Sequence, residues 1–323
     1  MIIIISDSYD NFSTEVEAWL HSFCKEHIRI NAEDSFQSIS WLLTDNNDCI
    51  RIGFHKDNKQ VDLHNCTIWH RRGFFKPSVL LEEDQTDFSS FIKNESGSLF
   101  ESIMMVLIYE DRVIGTHIFK KNLRLFNQFL ASKVGIKVPA SLVTTSKKDL
   151  IEFNEQHPKL VTKPIGDIFM GFVDKKPLRG RVNLMTKDIL DKLPVSFFPM
   201  LFQEIIEKSF EIRLFICKNE FHAVAILLTD NTEIDYRFVS NDKIRQIPFE
   251  IPPVMKEKIK KMLEYLKLDT ASLDIIVDTN GEYYFLDLNP FGMLHNNSFT
   301  YYYSTEKQIA KLLVTHEPKP IDI

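Results

Sequence analysis

Near its end the chain reads Asp274-Ile275-Ile276-Val277-Asp278-Thr279-Asn280-Gly281-Glu282-Tyr283-Tyr284-Phe285-Leu286-Asp287-Leu288-Asn289-Pro290, and few folds accommodate that run. Two strand-like segments, 274–278 and 283–288, flank an Asn-Gly turn, the strongest short-range signal for a β-hairpin. Residues two apart on a strand share a face, so Asp287 and Asn289 project together and the hairpin brings Asp274 beside them. Two carboxylates and an amide oxygen on one sheet face suit a hard divalent cation such as Mg2+, which takes oxygen ligands and usually shares them with phosphates. An ordinary exposed hairpin is the other reading, because Asp and Asn are common near turns.

The rest of the chain must supply what surrounds that hairpin. With 323 residues and roughly 100–200 per domain, two or three domains are expected, and the pattern predicts an α/β (α+β) protein in three pieces. Residues 1–117 open with a buried strand at 2–5 and an amphipathic helix at 13–26, with Val16, Leu20 and Phe23 at helical spacing. Strands follow at 38–43, 50–54 and 67–71, then a buried helix at 99–111. Residues 118–200 begin with a helix at 121–134, on which Leu123, Phe126, Leu130 and Val134 form one apolar stripe that ends at Gly135. A strand at 141–144, a helix at 147–155 and a strand at 160–163 lead into a polar loop over 164–181. Residues 201–323 are mainly strands (201–206, 210–217, 220–228 and the hairpin), with helices at 254–266 and 305–313.

Composition removes several function classes. The net charge of −6 gives no general pull toward nucleic acid or anionic membrane. Four cysteines without a Cys-x-x-Cys pair fit neither a zinc site nor a disulfide framework, and a reducing cytoplasm is the expected compartment. No stretch approaches the ~20 apolar residues of a membrane span. Only 10 glycines are present, and no Gly-x-Gly-x-x-Gly occurs among them. Gly166 and Gly171 have the Walker A separation, but Phe172-Val173 stand where Lys and Ser/Thr are required. P-loop and dinucleotide-binding folds are thereby disfavoured.

Cationic residues form a second group. Lys163 ends a strand beside the glycine-bearing 164–181 loop, and Arg124 lies one helical turn from Lys121. Such cations neutralise phosphate while loop N–H groups cradle the oxygens, although a solvated lysine has the same sequence. Gln203-Glu204-Ile205-Ile206 precedes Glu211-Ile212-Arg213, and Asp235-Tyr236-Arg237 follows. Glu211 and Arg213 share a strand face, as they would on any charge-balanced surface. Trp69-His70-Arg71-Arg72-Gly73 carries two guanidiniums suited to planar anions or to a stabilising ion pair.

Taken in order, these pieces resemble the ATP-grasp superfamily over nearly the whole chain. Within it the chain is similar to the graspetide ligases, the microviridin-type and grasp-with-spasm peptide maturases. Trp69-His70-Arg71-Arg72-Gly73, Asn289-Pro290-Phe291-Gly292, and Tyr302-Tyr303 ahead of Glu306-Lys307-Gln308-Ile309-Ala310 carry that narrower likeness. The resemblance implies an ATP-grasp fold of three subdomains, with ATP between the central one (118–200) and the C-terminal one (201–323). Residues 118–200 would carry the phosphate-covering loop and a leader-peptide site. It makes Lys163 and Arg124, with Lys121 as fallback, the phosphate-contacting cations. Gln203, Glu204, Ile205 and Ile206 become the adenine-lining hinge, Glu211 the ribose carboxylate, and Asp274, Asp287 and Asn289 the holders of one or two Mg2+. Arg213 and Arg237 take the catalytic places at the transferring phosphate. Arg71 and Arg72 are assigned to acidic substrate groups, and Asp235 is a candidate base. Three positions depart from the family: Asp287 stands where Glu is more frequent, Arg124 where Lys is common, and Met293 where peptide maturases often have Gln; the phosphate-covering loop also has fewer glycines than usual.

The activity so implied is ATP-dependent joining of Asp or Glu side chains of a ribosomally made precursor peptide to Ser/Thr hydroxyls or Lys amines, giving macrocyclic esters or amides. The expected partner is a peptide with a leader and an acidic, hydroxyl-rich core, without nucleic acid or membrane, and the enzyme is expected as a homodimer. Other ATP-grasp ligases, which add an amino acid to a small molecule or protein terminus, an ATP-grasp-like kinase and a non-catalytic peptide-binding module are the competing readings.

Overall fold

The computed structural model describes residues 1–318 apart from 37, 45–46, 54–59, 74–75, 78–86, 116–122, 167–169, 174–175, 180–181, 230–238, 293–300 and 302. The chain forms two compact units, Met1–Ile118 with Ser298–Ile323, and Phe119–Asn297.

In the first unit the isoleucine run becomes β1 (Ile2–Ser6), buried along its whole length. A continuous apolar run of this kind belongs to a strand covered on both faces, the usual state in a parallel sheet. After α1 (Asn11–Ser22) comes β2 (His27–Asn31). Next are β3 (Ser35–Phe36), β4 (Ser38–Thr44), β5 (Asn47–Gly53), β6 (Gln60–Asp62), β7 (Thr67–His70) and β8 (Lys76–Pro77). The unit continues with α2 (Asp87–Tyr109) and β9 (Val113–Ile114). The main sheet is parallel in the order β2-β1-β7-β9. β4, β5 and β6 form an antiparallel sheet, and β3 pairs with β8. Ile3 and Ile5 of β1 join Ile50, Ile52 and Val61 and the α2 residues Phe100, Ile103, Met104 and Leu107 in one core.

The second unit starts with α3 (Arg124–Lys133), β10 (Ser141–Ser146), α4 (Lys147–Gln156) and β11 (Leu160–Lys163). The segment expected as a polar loop over 164–181 contains a hairpin of β12 (Met170–Val173) and β13 (Lys176–Arg179). Each strand is only four residues long and the second carries Pro177, which hid the strand pattern. β14 (Asn183–Leu184), α5 (Lys187–Lys192) and β15 (Ser196–Glu204) follow, giving a sheet ordered β10-β15-β11-β14.

A five-stranded antiparallel sheet completes the unit. Its members are β16 (Lys208–Cys217), β17 (Glu220–Leu228), β18 (Ile244–Phe249), β19 (Thr270–Asp278) and β20 (Tyr283–Asn289), in the order β18-β17-β16-β19-β20. Ahead of β19, α6 (Pro253–Leu266) lays Met255, Ile259, Met262, Leu263 and Leu266 on one face of that sheet, the spacing of an amphipathic helix. Ile212, Leu214 and Ile216 of β16 and Leu273, Ile275 and Val277 of β19 point into the same core. Strand alternation therefore sends Glu211, Arg213 and Asp274 to the opposite face. The β19–β20 loop follows the Asn-Gly signal with a modification. Only Gly281 has positive φ, at 81°, and Asp278 N–H bonds Glu282 O, so the loop has three residues with a glycine bulge rather than two.

Two expectations are corrected. On α3 the buried positions are Arg124, Asn127, Gln128, Leu130 and Ala131, while Leu123 and Phe126 are exposed. The helix lies against the free edge of β20, whose outward carbonyls need donors. The closing helix, α7 (Thr305–Thr315), grouped by sequence with residues 201–323, belongs to the first unit. It packs on α1 and β7, and its buried Ile309, Ala310, Leu312 and Leu313 supply the apolar stripe that needs such a partner. Among the described residues no helix is long and apolar enough to cross a membrane.

Candidate functional site

The acidic pair sits at the end of the β19–β20 hairpin. Asp274 lies directly opposite Asp287, and Ser272 opposite Asn289, but the register shifts between Asp274 and Ile275, where Ile275 pairs with Phe285. Leu286 is therefore the extra residue of a β-bulge. Phe285 and Leu288, three apart, both enter the core, which strict alternation forbids. The bulge turns Asp287 away from the core and onto the face that carries Asp274, the re-aiming that bulges perform beside sites.

Like charges opposite each other across a sheet are destabilising, and each carboxylate here has its own guanidinium. Arg213 Nη1 donates to Asp274 Oδ1 at 2.6 Å, from the β16 position directly opposite Asp274. Arg124 Nη2, at the start of α3, donates to Asp287 Oδ2 at 3.1 Å. The second arm of Arg124 reaches the chain leaving β11, donating to Pro164 O and, at 3.2 Å, to Gly166 O. Arg124 thus ties the acidic hairpin to the strand whose last residue is Lys163. Its Nε and the Ser272 Oγ are both buried without a hydrogen-bond partner.

The 203–206 segment adjoins this through β15. Gln203 is opposite Ser141 and Val161, and its amide donates to Ser141 Oγ at 2.8 Å. Glu204 accepts from Ala140 N–H at 2.8 Å and lies 3.0 Å from His157 Nδ1. Both side chains are thus engaged in joining β15 to β10 and to the end of α4, and what the segment offers a ligand is backbone and the Ile205 and Ile206 side chains. Glu211 is bonded at 2.5 Å by Lys208. Lys208 had no signal in the sequence: residues three apart on a regular strand face opposite sides, and the contact accompanies the register shift between Lys208 and Phe210.

Asn289 is exposed, and its Oδ1 accepts from Phe291 N–H at 2.9 Å, with a second lone pair left for another partner. Gly292 closes this turn through a bond to Asn289 O, and a Cβ there would meet Ser272 Oγ at 1.5 Å, so only glycine fits. Among the described residues no group of three or more His, Cys, Asp or Glu side chains could hold a metal. Two carboxylates and an amide remain, a ligand-poor all-oxygen set. It fits Mg2+, which keeps several non-protein ligands and is commonly held by one or two carboxylates plus phosphates.

In the first unit Arg71 is 3% exposed. Its Nε donates to Asp10 Oδ2 at 3.2 Å, and its guanidinium lies over Phe12. Asp10 also accepts from Ser13 at 2.7 Å and Ser6 at 3.1 Å. Burial opposes the Asp10 charge, yet Arg71 and the hydroxyls together hold its carboxyl below the usual range, while burial brings Arg71 down to about 10. The Arg71 side chain is thus a packing element, which corrects its assignment to substrate. Arg72 is 43% exposed and 3.5 Å from Asp7, so it retains a free approach to solvent. Lys121, Asp235, Arg237, Met293 and Tyr302 lie outside the described residues.

The fold recurs in solved structures. A Chryseobacterium gregarium RiPP-associated ATP-grasp ligase, in complex with ADP and a leader and core peptide, is 24% identical with a TM-score of 0.80, covering 99% of this chain and 98% of that one. The macrocyclase MdnC from Microcystis aeruginosa, bound with precursor peptide MdnA, is 20% identical with a TM-score of 0.79, covering 97% and 99%. The D-Ala:D-Ser ligase VanG from Enterococcus faecalis is 14% identical with a TM-score of 0.54, covering 97% and 98%. These likenesses establish the ATP-grasp fold. No family model matches the chain and no curated protein matches it.

Proposed function

We propose that this chain is an ATP-dependent ligase that joins Asp or Glu side-chain carboxylates of a ribosomally made precursor peptide to Ser/Thr hydroxyls or Lys amines. The observation that carries the reading is the opposed pair Asp274 and Asp287, each on its own arginine, within a fold shared end to end with peptide-bound RiPP ligases.

A carboxylate is a poor electrophile. Transfer of the ATP γ-phosphate to it gives an acyl phosphate and ADP; attack by a hydroxyl or amine then releases phosphate, so the peptide loses one water per bond. The protein's part is positioning and charge neutralisation. Asp274, Asp287 and Asn289 would hold one or two Mg2+, which supply charge neutralisation at the β- and γ-phosphates. Lys163 and Arg124, with Lys121 as fallback, pair with other phosphate oxygens. Arg213 and Arg237 would serve the transferring group, where guanidinium donors suit charge on equatorial oxygens. Residues 203–206 line adenine and Glu211 bonds the ribose. Residues 118–200 act as the phosphate-covering and leader-binding subdomain, and Arg72 meets acidic substrate groups. A leader-bearing, acidic and hydroxyl-rich peptide, a cytoplasmic location and a homodimer belong to the same reading.

The test is mass spectrometry of a candidate precursor peptide incubated with the protein, ATP and Mg2+. Loss of water in whole multiples is expected; an unchanged peptide mass with folded, nucleotide-binding protein would overturn the proposal. The weaker likeness to a D-Ala:D-Ser ligase supports a second reading, an amino-acid ligase, which ADP release driven by free amino acids without peptide would favour.

A further inference from the structure

β20 is the edge strand of its sheet, and its free edge is closed by other parts of the second unit. Lys137 forms a parallel bridge with Tyr284, and Phe285 N–H donates to Lys137 O at 2.8 Å. One residue further on, the side chains of α3 take over. Gln128 Nε2 donates to Leu286 O at 3.3 Å, and Asn127 Nδ2 approaches Leu288 O at 3.5 Å. In a regular strand the polar groups of neighbouring residues point to opposite edges. Here Phe285 N–H and Leu286 C=O both point outward, which is the parity change that the bulge at Leu286 produces.

The two amides are 4% and 5% exposed, although polar side chains are mostly exposed in folded proteins. Burial without partners would be costly for them and for the carbonyls alike. The fit between α3 and β20 is therefore specific to the bulged register. A slip that removed the bulge would return Leu286 C=O to the β19 side, leave Gln128 unsatisfied and turn Asp287 into the core.

We infer that Gln128, assisted by Asn127, is a positioning residue that locks the Leu286 bulge and so aims Asp287 at the proposed Mg2+ site. The inference rests on the functional reading above for the metal, but not for the bulge. Gln128→Met keeps the side chain's length and removes its donor, and full-length protein serves for both measurements. ADP binding is titrated by calorimetry with and without Mg2+, and hydrogen exchange is followed in the 283–289 segment. Expected are an unchanged Mg2+-free ADP affinity, a roughly tenfold smaller gain from Mg2+, the scale of losing a partner behind a metal ligand, and faster exchange in 283–289. An equal loss with and without Mg2+ marks a merely structural role and overturns the inference, as does the absence of any change. If the wild type gains nothing from Mg2+, the functional reading falls, and exchange in 283–289 decides the positioning alone: unaltered exchange overturns it.

Discussion

Asp274 and Asp287 oppose each other across two strands, an arrangement that costs several tenths of a kcal/mol wherever it lacks compensation. Arg213 at 2.6 Å and Arg124 at 3.1 Å supply that compensation. A local rule broken and then offset is the mark of a site held for function. Replacing Arg213 by Met leaves Asp274 without this partner and, on the proposed function, removes a donor from the transferring phosphate. The expected result in steady-state assays is a kcat lower by roughly 10²–10³, with the far-UV circular dichroism spectrum unchanged. Asp10 gives a residue-scale prediction of another kind. Its carboxyl is held below the usual range: burial works against the charge, but Arg71 and the serine hydroxyls outweigh it. A depressed folded-state value stabilises the protein above the unfolded carboxylate value, and the contribution drains away as pH falls through the folded one. Urea midpoints of the wild type should therefore drop on acidification below about pH 4, more steeply than those of Asp10→Asn, the two curves converging at the acid end.

Among the elements, α3 separates what periodicity can show from what it cannot. Its apolar spacing pointed to Leu123, Phe126 and Leu130 as one buried stripe, yet the helix buries Arg124, Asn127 and Gln128 beside Leu130 and leaves Phe129 at 53% exposure. Leu130→Ala should cost about 2–5 kcal/mol. Phe129→Gln should cost no more than about 1 kcal/mol, the size of its contact with Lys133. Urea titration of the two variants checks the orientation, and the reverse ranking would refute it. β17 was legible to the residue because its apolar run is bounded by polar turns, and β11 because Leu160-Val161-Thr162 lies between Pro158 and Pro164. β18 was missed: it is an edge strand of alternating exposure with Arg245, Gln246 and Pro248, features that keep an edge from pairing and also erase the strand signal. Asp287 and Asn289 were readable as one face from spacing two. The bulge that turns this pair onto the face carrying Asp274 was not, because the side chains that match its register lie on α3, more than 150 residues earlier in the chain.

At the scale of the whole molecule, each large core lies within one unit: residues 3 to 113 supply one and residues 130 to 288 the other. All the described nucleotide and metal candidates, from Arg124 to Asn289, fall in the second unit. A ligand that binds only the native state stabilises the unit that holds it by RT ln(1 + [L]/Kd), about 2.7 kcal/mol at a hundredfold excess over Kd. For a unit of this size that corresponds to a rise of roughly 5–10 °C in its midpoint. Differential scanning calorimetry should therefore show two transitions, with Mg2+ and ADP raising the one that belongs to Phe119–Asn297 and leaving the other in place. Asp287→Asn should remove most of the Mg2+-dependent part of that rise, because the substitution takes one of two carboxylates from the hairpin while α6 and the core behind it are untouched. If both transitions rose together, the two cores would be energetically coupled. If neither moved while nucleotide was bound, binding outside the β15–β20 region would have to be sought.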